Sequence, residues 1–395
     1  MNGVREMLSG LLEATRLQVP DDLASLLVEK GRVLGADAVT VLLVDHEQYL
    51  LVPLPESDLD REPLRIDATL AGRCFRQVEL QRSEAEDRET VWVPIVDGLE
   101  RLGVVELDFP AGRDRASDAE LLSFAAVIAE TILTKSAYGD LFHLVRRRRP
   151  MTLAGEIAWR LLPPLTFGTE RLVIAAVLAP AYEVGGDSFD YAVDSKTARF
   201  AVFDAMGHGL AAGLLATVAI GAYRNARRRG LDLPETAEAV DVALAGQFGG
   251  EQFVTGLLAE LDLADGWLRW HTAGHPAPLL LRAGRVVKSL TAEPGLPLGL
   301  SDPARTVTEE SLEPGDRLLL YTDGVVEARS ADGVFFGTRR LADFVVREDA
   351  DGQPAPETMR RLMHAILDHQ NGQLQDDATA MLVEWQTGDA DRATP

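Results

Sequence analysis

Tyr182-Glu183-Val184-Gly185-Gly186-Asp187-Ser188-Phe189-Asp190 stands near the middle of the chain, and its acidic residues have counterparts further on. Asp204 follows an apolar run in Val202-Phe203-Asp204-Ala205-Met206-Gly207-His208-Gly209, and Asp323 does the same in Leu320-Tyr321-Thr322-Asp323-Gly324. The pair Asp376-Asp377 comes just ahead of Ala378-Thr379-Ala380-Met381-Leu382-Val383. A carboxylate at the end of a buried strand is costly unless something neutralises it. Several such ends suggest carboxylates gathered around a hard cation. Oxygen ligands of this kind suit magnesium or manganese rather than zinc or copper.

Working outward, short strands dominate from Arg171 on: 172–178, 199–203, 253–263, 267–271, 278–281, 317–321 and 378–385. Helices are expected at about 210–229, 235–248, 339–347 and 356–370. The turns Ala264-Asp265-Gly266 and Ala283-Gly284 favour antiparallel pairing. Strands in two groups with helices outside them predict a layered sandwich.

Residues 1–140 read as a separate α+β unit. A helical pattern over Leu8–Lys30 leads into the apolar strand Ala38–Val44, then Tyr49–Val52 and Val91–Ile95. Asp97-Gly98 is hairpin chemistry before Leu102–Leu107, and Asp118–Lys135 is apolar at helical spacing. A linker helix is expected over 141–168, carrying Arg146-Arg147-Arg148-Arg149 as a solvated helix end or a polybasic patch. The second domain spans 169–387, and 388–395 reads as a loose tail.

The 395 residues carry a net charge of −23, with 39 basic against 62 acidic residues. That balance argues against general nucleic-acid binding, whose affinity comes from cations meeting phosphates, and against docking on an acidic membrane face. No basic n-region with an apolar core opens the sequence, and no apolar run approaches the roughly 20 residues that span a bilayer. The lone Cys74 rules out an intrachain disulfide framework. Together these place the chain in the cytoplasm.

Five blocks then carry a resemblance. Glu183-Val184-Gly185-Gly186-Asp187, Asp204-Ala205-Met206-Gly207-His208-Gly209, Ala273-Gly274-His275-Pro276, Tyr321-Thr322-Asp323-Gly324-Val325-Val326-Glu327 and Asp376-Asp377-Ala378-Thr379 stand in order. Any one is weak, since Asp-Gly is first a turn dipeptide. In register, they make residues 170–386 resemble the PPM family of metal-dependent serine/threonine phosphatases, in its bacterial sporulation-phosphatase (SpoIIE/RsbU-like) branch. The resemblance implies an α-β-β-α sandwich of antiparallel sheets, so the fold class is α+β. It also implies two Mn²⁺ or Mg²⁺ ions. Asp204 would bridge them, with the Ala205 backbone carbonyl as a further ligand. Asp323 and Asp376 would complete one site and Asp187 the other. Asp377, Gly186, His208, His275 and Asp190 are secondary candidates. Where the wider family often has glycine, this chain has Ala205; a carbonyl ligand needs no particular side chain. The N-terminal order of strands and closing helix resembles a GAF sensor domain.

The implied activity is hydrolysis of phosphoserine or phosphothreonine on a partner protein, an anti-sigma-factor antagonist, gated by the N-terminal unit. A homodimer and a small ligand at the sensor are further expectations. The competing reading is a pseudophosphatase that grips a phosphoprotein without turnover. Paired metals suit the hydrolytic reading, because they lower the pKa of a shared water and clamp phosphate oxygens. Other phosphatase chemistries lack their residues: Leu80 stands where a cysteine phosphatase would need an arginine after Cys74. Asp58-Leu59-Asp60-Arg61-Glu62 fails the aspartate-nucleophile pattern, and no Gly-Lys-Ser/Thr phosphate loop occurs. His271 and His275 are four apart, but Gly274 and Pro276 break the helix that a zinc pair would require.

Overall fold

The computed structural model describes residues 2–55, 61–111, 115–180, 182–183, 185–293, 295–303, 305–372 and 374–387. The expected tail 388–395, the stretch Asp58-Leu59-Asp60 and Val184 lie outside them. The chain divides into two compact units, 1–150 and 151–394.

In the first unit six antiparallel strands form one sheet in the order β3-β2-β1-β6-β5-β4. They are β1 Ala38–Val44, β2 Leu50–Pro53, β3 Leu64–Arg65, β4 Gln81–Glu84, β5 Arg88–Asp97 and β6 Glu100–Pro110. Side chains alternate across a strand. Val39, Val41 and Leu43 therefore join a core with Leu11, Leu27, Phe124 and Ile128, while Leu42 and Val44 pack with Phe75 and Cys74 on the other face. Burial on both faces explains why β1 reads as one apolar run. The single helix expected over Leu8–Lys30 is two, α1 Asn2–Leu17 and α2 Leu23–Gly31, with Pro20 opening a 3-10 turn between them. Proline has no N–H to continue the ladder. Helices α3 Leu70–Gln77, α4 Asp118–Lys135 and α5 Leu141–Val145 complete the unit.

The expected linker helix over 141–168 is likewise interrupted: α5 ends at Val145 and α6 runs Leu153–Leu161. Pro150 disfavours helix for the residue before it. The arginine run is not a bare solvated face. Arg146 Nε donates to the Val44 carbonyl at 3.0 Å, Arg148 lies 3.3 Å from Glu47, and Arg149 lies 3.5 Å from Glu47.

The second unit stacks two antiparallel sheets. One has the order β15-β12-β11-β10-β9, the other β14-β13-β16-β17-β8-β7. Their strands are β7 Thr166–Gly168, β8 Leu172–Ala179, β9 Asp187–Val193, β10 Thr197–Ala205, β11 Val254–Asp262, β12 Trp267–Ala273, β13 Leu279–Arg282, β14 Arg285–Ser289, β15 Thr308–Ser311, β16 Arg317–Tyr321 and β17 Ala378–Trp385. Phe189, Phe200, Val202, Leu257, Leu318, Leu320, Met381 and Val383 fill the space between the sheets. The opposite parity of β10, Ala201, Phe203 and Ala205, faces α7 Gly209–Arg228 and α8 Leu233–Phe248. Helices α9 Asp323–Val326, α10 Gly337–Ala350 and α11 Ala355–His369 belong to the other layer, where α11 packs on β8 and β17. The result is the expected α-β-β-α sandwich.

Strand directions decide where the aspartates lie. β9 and β10 are antiparallel with Asp187 opposite Asp204, so the start of one meets the end of the other. In the second sheet Tyr321 pairs with Ala380, which brings the end of β16 beside the start of β17. Asp204, Asp187, Asp323, Asp376 and Asp377 therefore share one edge of the sandwich.

Candidate metal centre

Asp204 has the parity of Phe200 and Val202 and turns into the space between the sheets, as does Asp187 with the parity of Phe189. Asp187 is 2 % exposed, whereas Asp323 and Asp376 are exposed, so the acidic edge runs from the interior to an open mouth. Thr322 continues the inward parity of Leu318 and Leu320, and its hydroxyl donates to Asp187 Oδ2 at 2.6 Å. The Thr379 N–H donates to the same hydroxyl oxygen at 3.0 Å, which fixes the threonine between the strands.

The electrostatics of this edge are unlike those elsewhere in the chain. Other buried acids sit beside arginine: Asp190 with Arg224 and Arg227 at 2.6 and 2.8 Å, Asp241 with Arg305 at 3.0 Å, Asp316 with Arg282 at 2.6 Å, Glu357 with Arg360 at 2.9 Å. Asp45 has Arg148 at 4.0 Å, Glu106 has Arg61 at 2.7 Å and Glu348 has Arg361 at 3.0 Å. Among the described residues Asp187 is the buried acid with no arginine or lysine at ion-pair distance; its charged neighbours are Asp204 and Asp377. Burial, then those two carboxylates, push its pKa well above the usual range, against the Thr322 and Thr379 hydroxyls. Burial pushes Asp204 up to about 7, with Asp323, Asp376 and Asp377 adding to the rise. Asp323 is raised by burial and then by Glu327 and Asp376. Like charges without a counter-charge disfavour ionisation. A bound cation would neutralise this edge, and an all-oxygen donor set fits magnesium or manganese.

The carboxylates share an edge without forming a finished cage. Among the described residues no three Asp, Glu, His or Cys side chains converge closely enough to hold an ion as they stand.

The backbone is shaped for close approach. A Cβ on Gly186 would lie 2.5 Å from the Ala205 carbonyl oxygen, and one on Gly324 would lie 1.8 Å from the Asp377 carbonyl oxygen. Gly186 thus lets its chain lie against the Ala205 carbonyl.

The secondary candidates separate. Asp190 is three residues from Asp187 and falls on the opposite face of β9, where Arg224 and Arg227 of α7 hold it; it stands apart from the acidic edge. Odd spacing on a strand reverses the face. His208 is exposed at the start of α7, and its side chain caps no helix N–H. His275 is buried; burial lowers its pKa to about 4, and its Nδ1 lies 3.0 Å from the Thr255 hydroxyl. Thr255 is opposite Asp204 on β11, so His275 touches the site through a threonine. His271 turns to the Thr306 carbonyl at 3.0 Å. Thr255 lies in none of the five sequence blocks, and Thr322 and Glu327 stand inside the Tyr321–Glu327 block without a role that the block assigns. Strand parity is the signal that finds Thr322.

Two stacked antiparallel sheets with helices outside them are the arrangement of PPM-type (PP2C-like) folds. The fold is that of the SiaA-PP2C domain of Pseudomonas aeruginosa, with a TM-score of 0.50 and 24 % identity over 59 % of this chain and 94 % of that one. Residues 194–386, just under half of the chain, match the family described as Stage II sporulation protein E (SpoIIE), and the C-terminal unit resembles a SpoIIE-type PPM domain. The chain is 25 % identical over 233 residues to the phosphoserine phosphatase RsbU of Bacillus subtilis, covering 58 % of this chain and 68 % of RsbU. It also resembles the RsbU and RsbW domains of a Mycobacterium tuberculosis protein at 28 % identity and a TM-score of 0.49. It spans 62 % of the latter's chain. Among the described residues no helix is long and apolar enough to cross a membrane.

Proposed function

We propose that the C-terminal unit is a divalent-metal-dependent phosphatase that hydrolyses phosphoserine or phosphothreonine on a partner protein. The observation that carries this reading is a group of acids gathered at one edge, its buried member without the arginine that other buried acids have. Asp187, Asp204, Asp323 and Asp376, with the Ala205 carbonyl, are the groups that would hold two Mn²⁺ or Mg²⁺ ions. Bound there, such ions neutralise the carboxylates, activate water and clamp phosphate oxygens.

The chain's own contribution is positioning. Thr322 holds the Asp187 carboxylate from below, and the β9–β10 pairing sets Asp204 opposite it. Exposed Asp323 and Asp376 leave the mouth open to a phosphorylated side chain on a folded protein. The name of RsbU supports phosphoserine as substrate. We further propose a cytoplasmic anti-sigma-factor antagonist as the partner, and gating of the activity by the GAF-like N-terminal unit in a homodimer.

Phosphate release from phosphoproteins and from p-nitrophenyl phosphate, with and without Mn²⁺, tests the reading. Turnover should require the metal and vanish in Asp204→Asn; retained turnover would remove Asp204 from the mechanism. A second reading is phosphoprotein binding without hydrolysis. Tight binding with no metal-dependent turnover would favour it.

A further inference from the structure

Asp377 is the one aspartate of the acidic edge with donors crowded onto it. Its Oδ2 accepts the N–H groups of Gly185 at 2.7 Å, Gly186 at 2.5 Å and Asp187 at 3.4 Å. Successive backbone N–H groups in a turn form a concavity that binds an anion. Here the anion is a side chain from a different sheet, about 190 residues further along the chain.

The carboxylate is itself held. The missing side chain of Gly324 lets the Asp377 carbonyl lie against the start of α9, and the Asp377 N–H donates to Asp376 Oδ1 at 2.9 Å. The Gly185 backbone also lies close to α7: a Cβ there would come 2.6 Å from the Gly209 nitrogen and 3.4 Å from Asp377 Oδ2. The strap 185–187 thus meets both Asp377 and the first residue of α7. What it carries is the Gly186 backbone beside the Ala205 carbonyl, and the Asp187 side chain.

We propose that Asp377 is a positioning residue: its Oδ2 ties down the backbone of Gly185, Gly186 and Asp187 and so fixes where the Asp187 carboxylate and the Ala205 carbonyl stand, without itself holding an ion. This deepens the metal-centre reading and rests on it for its consequence, though not for the anchor itself. Asp376, its neighbour in sequence, is exposed and stays available to an ion. The division of labour between adjacent aspartates follows from the two donor sets they face.

The test compares the full chain with Asp377→Asn and Asp377→Ala, using hydrogen exchange of the metal-free protein and Mn²⁺ titration by calorimetry. Asparagine keeps an oxygen that accepts the N–H groups; alanine does not. Amides 185–187 should be protected in the wild type and in Asp377→Asn and lose that protection in Asp377→Ala. Mn²⁺ affinity should fall about 10–100-fold in Asp377→Ala, the range for residues that orient ligands, and much less in Asp377→Asn. Unchanged protection in Asp377→Ala would overturn the anchor. Equal loss of Mn²⁺ affinity in both variants, with 185–187 still protected in Asp377→Asn, would make Asp377 a ligand and overturn the proposal. So would exchange spreading through β9 and β17 in both variants alike. A wild type that binds no Mn²⁺ would sink the metal reading, while the exchange comparison would still decide the anchor.

Discussion

Replacing Asp204 by asparagine should make the metal-free protein more stable at pH 8, although the residue stands at the centre of the site. Its folded pKa is about 7 against an ordinary 3.8, so between those values the folded state keeps a proton that the unfolded chain releases. Stability is therefore lost as pH rises through this window, and the loss is complete above about pH 7. Three units correspond to roughly 4 kcal/mol. Asp204 is partly open to solvent, and screening reduces the figure to about 1–2 kcal/mol. Asparagine cannot ionise and escapes the penalty. For a unit of this size, about 2–4 °C in Tm accompanies each kcal/mol, so a rise of roughly 2–8 °C is expected. Thermal melts followed by circular dichroism in EDTA, at pH 5 and pH 8, check this. The gain should shrink at pH 5, where the wild-type carboxyl is protonated. A variant less stable than wild type at pH 8, or a gain indifferent to pH, would refute an unneutralised carboxylate cluster.

On the opposite face of β9 the sign should reverse. Asp190→Ala leaves Arg224 and Arg227 without their carboxylate and should cost about 3 kcal/mol, read as a lower Tm with or without Mn²⁺. Thr322→Val removes the hydroxyl bound to Asp187 and should destabilise the fold by about 1–3 kcal/mol; calorimetry should also show weaker Mn²⁺ binding. Protons compete with the ion at Asp204, so Mn²⁺ affinity should drop as pH falls from 8 to 6; a flat profile by calorimetry would remove Asp204 from the ligand set. Inserting one residue between Pro150 and Met151 should alter regulated phosphatase activity, and unchanged regulation would count against gating by the N-terminal unit.

How far the sequence speaks depends on what each residue faces. β1 and β17 are legible to the residue, because both faces of Val41–Val44 and Ala378–Val383 are buried and leave a largely apolar run. α4 is legible at its start, where Glu120 reaches back to the Ser117 N–H at 2.9 Å. β9 is not, since Asp187, Ser188 and Asp190 interrupt the apolar pattern although all are buried. Edge strand β14 is mostly exposed and β15 is charged, so neither carries a hydrophobic period. Within the site, an aspartate after an apolar run announces itself, but the face it takes does not. Asp187 and Asp190 differ only in strand parity, and Asp376 and Asp377 differ only in which groups the fold sets opposite them. The roles of Thr322 and Asp377 arise from contacts between sheets that the linear order conceals.

The central claim is that divalent ions supply the charge this acidic edge lacks. Anomalous diffraction at the manganese edge, from crystals of the full chain grown with excess Mn²⁺, tests it most directly. Two peaks should appear among Asp187, Asp204, Asp323 and Asp376, with the nearest carboxylate oxygens at about 2.0–2.6 Å. Crystals in which those side chains point apart with no peak between them would contradict the account.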